Sequence, residues 1–222
     1  MLTRILQIWV LSVAIVGAGS AHAYVVNGDF SNGLFGWTTE DLLSDGSLVS
    51  PSASVEELNG VAKLSTQGFA DPGVRVVTLA QAFTIDSAAE ALGFDIGFDR
   101  AGTDGSGIVG LPDFLEVSWL DDWDFGFDRF LLGVDVNGFY DPNTFDALIL
   151  PSVGNGLFRF DTGIADLAGR SGTLYFDLID FDDGFFSMGM VDNVGIALAS
   201  VPAPGTSLLL AMGLWVVLRR RR

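Results

Sequence analysis

The sequence predicts an all-β domain, an antiparallel β-sandwich, from two observations. Short runs alternate strictly between apolar and polar residues, and turn pairs that contain glycine separate them. Residues 24–200 also carry almost nothing at helical spacing; only Asp86 to Leu92 and Ile164 to Ala168 read as short helical turns.

Along the chain, the first clear strand is Val61 to Ser65, followed by Val74 to Ile85. Leu92-Gly93-Phe94-Asp95-Ile96-Gly97-Phe98-Asp99 gives the cleanest alternation, with Leu92, Phe94, Ile96 and Phe98 on one face. Leu115 to Trp119 and Leu174 to Leu178 follow the same rule, with Phe130 to Val136, Ala147 to Leu150, Leu157 to Phe160 and Met188 to Leu198 as further strands. Asp45-Gly46, Asn59-Gly60, Asp104-Gly105, Asn137-Gly138 and Asp183-Gly184 supply hairpin turns. Roughly nine or ten short strands at this spacing require two sheets, each burying one face.

Charge and composition narrow the chemistry. All 28 acidic residues fall within residues 24–200, against Lys63, Arg75, Arg100, Arg129, Arg159 and Arg170, so this segment carries 6 minus 28, or about −22. Such a field repels nucleic acid and anionic lipid. Cysteine is absent, which removes disulfides, thiolate nucleophiles and zinc-thiolate sites. The single histidine, His22, lies in the N-terminal leader described next, so histidine-based triads and transition-metal sites are excluded from the domain. Catalysis would fall to carboxylates, as in a glycosidase pair.

The two flanks read as targeting devices. Arg4 precedes the apolar run Ile5 to Ala18, and Ala21-His22-Ala23 offers small residues for signal peptidase, so residues 1–23 are expected to be a signal peptide. At the other end Val201-Pro202-Ala203-Pro204-Gly205 leads into an apolar stretch over about 205–218 and then Arg219, Arg220, Arg221 and Arg222. From Val201 to Leu218 a helix would reach about 27 Å, enough for a thin bilayer, with the arginines held on the cytoplasmic side. A plain C-terminal membrane anchor fits this pattern as well.

The order of motif, helix and arginines resembles the PEP-CTERM class of bacterial sorting signals, which a membrane-embedded exosortase recognises. Val201, Pro202 and Pro204 match the short motif, while Ala203 stands where the name-giving Glu would be, which makes this a Val-Pro-x-Pro variant. The resemblance implies export through the inner membrane of a Gram-negative bacterium, processing of residues 201–222, and a final place at the cell surface, in the outer envelope or in an extracellular matrix.

Residues 24–200 carry a second resemblance. Val26-Asn27-Gly28-Asp29-Phe30-Ser31-Asn32-Gly33-Leu34-Phe35-Gly36-Trp37 is similar to the opening of carbohydrate-binding modules with the galactose-binding-like jelly-roll fold, and Val191-Asp192-Asn193-Val194 to their final strand. The resemblance implies a jelly roll whose first and last strands adjoin, so that Asp29 and Asp192 share a structural calcium site. Ser31 replaces the usual Glu. Trp37 is expected in the core. Trp123, within Asp121-Asp122-Trp123-Asp124, is the leading ligand-contact candidate because so charged a loop resists burial; Tyr140 and Phe186 are weaker ones. Asp135 to Asn143 and Asp180 to Gly184 have calcium-like oxygen spacing but read first as solvated turns of an acidic protein.

The expected function is that of an exported, non-catalytic surface or matrix protein that binds polysaccharide or envelope components. Two alternatives stand beside it: a self-associating structural protein, and a carboxylate-dependent glycan hydrolase. The acidic residues are expected in turns, which counts against the hydrolase.

Overall fold

The computed structural model of the chain describes residues 24–43, 47–48, 54–67, 74–103, 112–123, 128–181 and 185–199. The expected signal peptide, the Val201 to Gly205 motif, the apolar stretch, the Arg219 to Arg222 tail and the turns at Asp45, Asp104 and Asp183 lie outside these residues. Among the described residues no helix is long and apolar enough to cross a membrane.

Thirteen strands form among the described residues: β1 (Thr38–Leu43), β2 (Val55–Leu58), β3 (Val61–Ser65), β4 (Arg75–Thr84), β5 (Ala89–Thr103), β6 (Phe114–Asp121), β7 (Asp128–Asp135), β8 (Gly138–Tyr140), β9 (Ala147–Leu148), β10 (Ser152–Gly154), β11 (Leu157–Gly163), β12 (Ser171–Asp180) and β13 (Phe185–Leu198). They make two antiparallel sheets. The seven-stranded sheet runs β1-β4-β12-β6-β7-β8-β9, and the six-stranded sheet β10-β11-β5-β13-β3-β2. The all-β, two-sheet expectation holds.

Alternation dictates the core. Val77, Leu79 and Phe83 of β4, Leu115, Val117 and Trp119 of β6, and Leu174, Phe176 and Leu178 of β12 are buried against Leu92, Phe94 and Ile96 of β5 and Val191 of β13. Phe94 meets Phe176 edge-on across the two sheets, centroids 5.3 Å apart. Each such side chain contributes about 1.5–3 kcal/mol on burial.

The turn signals act as expected where they are described. Asn59 and Gly60 take φ of 56° and 80° and join β2 to β3, as a two-residue hairpin requires. Asn155 and Gly156, φ 55° and 78°, do the same between β10 and β11. The second expected helical turn exists as a 3-10 turn, Ala165–Leu167, which buries Leu167. The first does not extend as expected. Asp86 closes a turn through the amides of Ala88 and Ala89, after which Ala89 already pairs with Leu198 and Ala91 with Gly163 and Ala197. Two flanking strands satisfy this backbone better than one costly helical turn would. Four strands had no alternation to announce them: β1, β2 and β10 are sheet edges and β8 lies next to one.

The opening motif is a structural plug. Asn27, at φ 51°, donates from its amide to the carbonyls of Gly33 and Phe35 and accepts from the amide of Asn32, while its own carbonyl takes the Trp37 indole N–H at 3.2 Å. Gln81 of β4 ties this loop to the sheet through Val26 and Gly36. Phe30 and Trp37 are thereby driven into the core, rings 5.2 Å apart, and Trp37 reaches Phe176. The Val194 amide bonds the Gly28 carbonyl at 2.9 Å, so the opening loop and β13 do adjoin. A Cβ at Gly28 would lie 1.9 Å from the Val194 carbonyl oxygen, so only glycine fits there.

At the opposite end of the sandwich a buried polar belt ties the sheets together. Arg75 of β4 grips Asp41 of β1 through Nε at 2.8 Å and Nη2 at 2.5 Å, and donates to Ser54 Oγ and the Thr66 carbonyl, which belong to the other sheet's side. Ser54 in turn donates to Asp41. Thr66 pairs with Ser187 of β13, whose hydroxyl donates to Asp113 at 2.6 Å, and Asp113 also takes the Phe181 amide. Arg75, Asp41, Ser54, Thr66, Ser187 and Asp113 are all buried.

Candidate functional site

Inward alternation leaves a second set of side chains facing outward, and on the seven-stranded sheet these line up. Glu40 of β1 pairs with Thr78 of β4, Thr78 with Asp177 of β12, Asp177 with Glu116 of β6, Glu116 with Gly133 of β7, and Gly133 with Tyr140 of β8. One straight row therefore crosses six strands, roughly 24 Å at the usual strand spacing. The next row on one side is Thr38, Ala80, Tyr175 and Ser118, and on the other Leu42, Val76, Ile179, Phe114 and Asp135.

The floor of this face is recessed. Thr78 and Asp177 are each 6% exposed, Ser118 5% and Ala80 3%, while the longer Glu40, Glu116, Tyr175 and Tyr140 around them are half-buried. Small residues at the floor are what allow this. Gly133 is the clearest case, since a Cβ there would lie 2.4 Å from the Tyr140 ring. At the end of the row Tyr140 stacks on Phe145, centroids 6.1 Å apart and planes 16° from parallel, and Phe145 is largely exposed.

Electrostatics follow from that recess. Burial pushes the Asp177 carboxyl up to about 6, opposed by the Thr78 hydroxyl at 2.5 Å and reinforced by the Glu40 charge. Glu40 is raised by burial alone. Burial lifts the Tyr140 phenol to about 12, with Asp135 and Glu116 adding to the effect, and Tyr175 to about 12, with Asp177, Glu40 and Asp122 adding. Both tyrosines therefore stay neutral hydrogen-bonding groups. The described residues of this face include no lysine or arginine. Arg75, Arg129, Arg159 and Arg170 are ion-paired elsewhere.

Among the sequence-derived candidates, Trp123 lies beyond the end of β6, away from the row. Its backbone amide is held by Asp121 at 2.8 Å, Asp121 is itself paired with Arg170, and its side chain is 85% exposed. Its neighbour Asp122 is close enough to act on Tyr175.

Asp29 and Asp192 are brought within electrostatic reach. Asp192 is raised by burial and by the charges of Asp95 and Asp29, whereas Asp29 is lowered by hydrogen bonds from the Ser31 amide and hydroxyl. Calcium takes six to eight oxygens, and two carboxylates supply only part of that set. Among the described residues no group of three or more His, Cys, Asp or Glu side chains is placed to hold one ion. Asn193, at φ 49°, donates to Asp95 and Asp192, and Arg159 spans Asp95 and Asp161, so nitrogen donors already answer much of the local negative charge. Asp135 and Asp141 accept from Asn137 and Asn143 within their own turns.

Glu40, Thr78, Glu116, Tyr175 and Asp177 were not singled out by the sequence. The alternation in Leu115 to Trp119 and Leu174 to Leu178 puts Glu116, Tyr175 and Asp177 on the polar face, but only strand order makes them neighbours. The expectation that carboxylates gather in turns is corrected here. Glu40, Asp95, Glu116 and Asp177 sit on strands because paired strands expose one side that needs polar residues, and Asp41 and Asp121 sit on strands too, buried against Arg75 and Arg170.

No family model matches the chain, and no curated protein does. Solved structures of similar shape include TmCBM61 in complex with β-1,4-galactotriose, at 9% identity and TM-score 0.47 over 80% of this chain and 99% of that one. The K3 cleaved adhesin domain of Lys-gingipain from Porphyromonas gingivalis W83 gives 17%, 0.43, 79% and 99% in the same terms. TmCBM27, a mannan-recognising carbohydrate-binding module, gives 14%, 0.40, 78% and 95%. At these identities and scores the likenesses do not bear on what this chain binds.

Proposed function

We propose that residues 24–200 form a non-catalytic jelly-roll module that binds polysaccharide on the outer face of the seven-stranded sheet. The observation that carries this reading is the row Glu40, Thr78, Asp177, Glu116, Gly133, Tyr140. Carboxylates accept hydrogen bonds from sugar hydroxyls, the threonine and tyrosine hydroxyls both accept and donate, and the Tyr140–Phe145 pair offers an aromatic face to apolar C–H edges. A row about 24 Å long suits an oligosaccharide better than a single sugar.

Replacing Tyr140 with alanine removes the aromatic anchor at a site where aromatic contacts carry most of the energy. Affinity for a bound polysaccharide, read by affinity electrophoresis of the full chain against a panel that includes the producing cell's own matrix, should fall roughly tenfold or more. Trp123→Ala should change it less if the row is the site. Panel-wide absence of binding would leave self-association as the better reading.

The directly opposed Asp177 and Glu116, with Asp177 at about 6, lend some support to a hydrolase. Asp177 is nevertheless withdrawn below its neighbours and engaged by Thr78, which counts against a catalytic role. Release of reducing ends from a bound polysaccharide, abolished by Glu116→Gln, would reverse that preference.

Two further proposals concern delivery and calcium. Export and exosortase-type processing, resting on the sequence of residues 1–23 and 201–222, should appear in mass spectrometry of envelope material as cleavage after Ala23 and loss of the chain beyond the Val201 to Gly205 motif; an intact Arg222 would favour the plain anchor. Structural calcium at Asp29 and Asp192 rests on their mutual repulsion. Calcium should raise the melting temperature and a chelator lower it, an effect absent in Asp192→Asn.

A further inference from the structure

We infer that the fold selects one asparagine, Asn155, for spontaneous conversion to aspartate and isoaspartate through a cyclic imide, which makes the turn between β10 and β11 a modification site. The chain contains five Asn-Gly pairs, which begin at Asn27, Asn32, Asn59, Asn137 and Asn155. The chemistry open to each is the same. The backbone nitrogen of the glycine, having given its proton to solvent, bonds the asparagine Cγ; the Cγ–Nδ2 bond breaks, Nδ2 takes a proton back and leaves as ammonia, and a five-membered imide remains. One water then opens either imide carbonyl, to aspartate or to isoaspartate. The balance is one water in and one ammonia out, with nothing oxidised or reduced. Glycine suits the step because no Cβ shields its nitrogen. What separates the five pairs is whether the fold leaves that nitrogen and the asparagine side chain free to meet.

Four pairs are held. The Asn27 side chain accepts from the Asn32 amide and donates to the carbonyls of Gly33 and Phe35, and Gly28 behind it is buried against Val194. The Gly33 amide that follows Asn32 donates to the Phe30 carbonyl at 3.0 Å. The Gly60 amide that follows Asn59 donates to Glu57 Oε1 at 2.6 Å. Asn137 donates its side-chain amide to Asp135, and Gly138 stands opposite Asp135 where the pairing of β7 with β8 begins. An N–H that is donating must break that bond before its nitrogen can attack.

Asn155 and Gly156 escape each of these holds. They are the central residues of the turn that Gly154 and Leu157 close, and both are exposed. Among the described residues neither the Asn155 side chain nor the Gly156 amide has a hydrogen-bond partner. Asn155 also stands already at φ 55°. Closing the imide sets ψ near about −120°, which with that φ is the first central residue of a type II′ turn, the other turn that two-residue hairpins accept. The ring therefore forms by the flip of one peptide inside the hairpin. Asn59 has nearly the same backbone, φ 56° followed by 80° at Gly60 against 78° at Gly156, so the Glu57 bond is what distinguishes the two turns.

The test follows the full chain in a nonionic detergent at mildly alkaline pH, with peptide mass spectrometry after digestion in acid and labelling by an isoaspartyl methyltransferase. Asn155 should convert about tenfold faster than Asn27, Asn32, Asn59 or Asn137, the rate equivalent of one hydrogen bond that need not be broken. In urea the five rates should converge, because the selection resides in the fold. Glu57→Ala frees the Gly60 amide and should bring Asn59 to within about threefold of Asn155, whereas Glu57→Gln, which keeps Oε1, should not. The order of rates in the unaltered protein needs no variant.

Conversion of Asn155 no faster than that of the other four in the folded chain overturns the inference and means that the hairpin protects it. An unchanged rate at Asn59 in a folded Glu57→Ala protein also overturns it, since engagement of the glycine amide would then not be what selects the site.

Discussion

Replacing Arg75 with methionine is expected to cost the protein about 3–5 kcal/mol, because it strands the Asp41 carboxylate in a site fully closed to water. Among the described residues Arg75 makes four hydrogen bonds that join three separate segments through its planar fork. In a domain of this size that loss corresponds to a fall in melting temperature of roughly 10 °C, measurable by calorimetry. The double variant Arg75→Met with Asp41→Leu should recover at least half of it, since replacing both members of a buried pair removes the orphaned charge. A single-variant loss below about 1 kcal/mol, the range of an exposed pair, would show that water reaches the belt. The same logic separates this pair from Arg129 and Asp166, which are exposed enough that breaking them should be nearly silent.

The contrast between these pairs shows where the sequence was readable and where it was not. Alternation in Leu92 to Asp99, Leu115 to Trp119 and Leu174 to Leu178 predicts which residues enter the core, because a strand's period of two is a local property. Asn59-Gly60 predicts its hairpin for the same reason. The partners of Arg75 and the members of the row on the seven-stranded sheet depend instead on which strands lie side by side. Glu40 and Asp177 are far apart in the chain and share one row only because β1 and β12 flank β4, where both register with Thr78. No local pattern encodes that order. Trp123 drew notice because an aromatic among aspartates is a local anomaly; Asp177 escaped it because an outward aspartate on an alternating strand looks ordinary until its burial is known.

That burial has a consequence for stability. Asp177→Asn is expected to stabilise the protein at neutral pH and to leave it unchanged near pH 4. The folded carboxyl keeps its proton up to about 6, against an ordinary 3.8, so between those values the folded state binds a proton that the unfolded state releases. Stability from this group is therefore fully present below the ordinary aspartate range and is lost as pH rises through about 6. The loss amounts to roughly 3 kcal/mol. Asparagine keeps the shape and can hydrogen-bond Thr78 without ever becoming charged. The decisive quantity is the difference in unfolding free energy between variant and unaltered protein at each pH, in which the titration of the other carboxylates largely cancels. It should rise from near zero at about pH 4 to a plateau of roughly 3 kcal/mol above about pH 7. A difference that stays flat across this range would mean that Asp177 is ionised throughout and solvated. Glu40→Gln should shift the midpoint of that rise downward, because the Glu40 charge is one of the terms that hold the proton on Asp177.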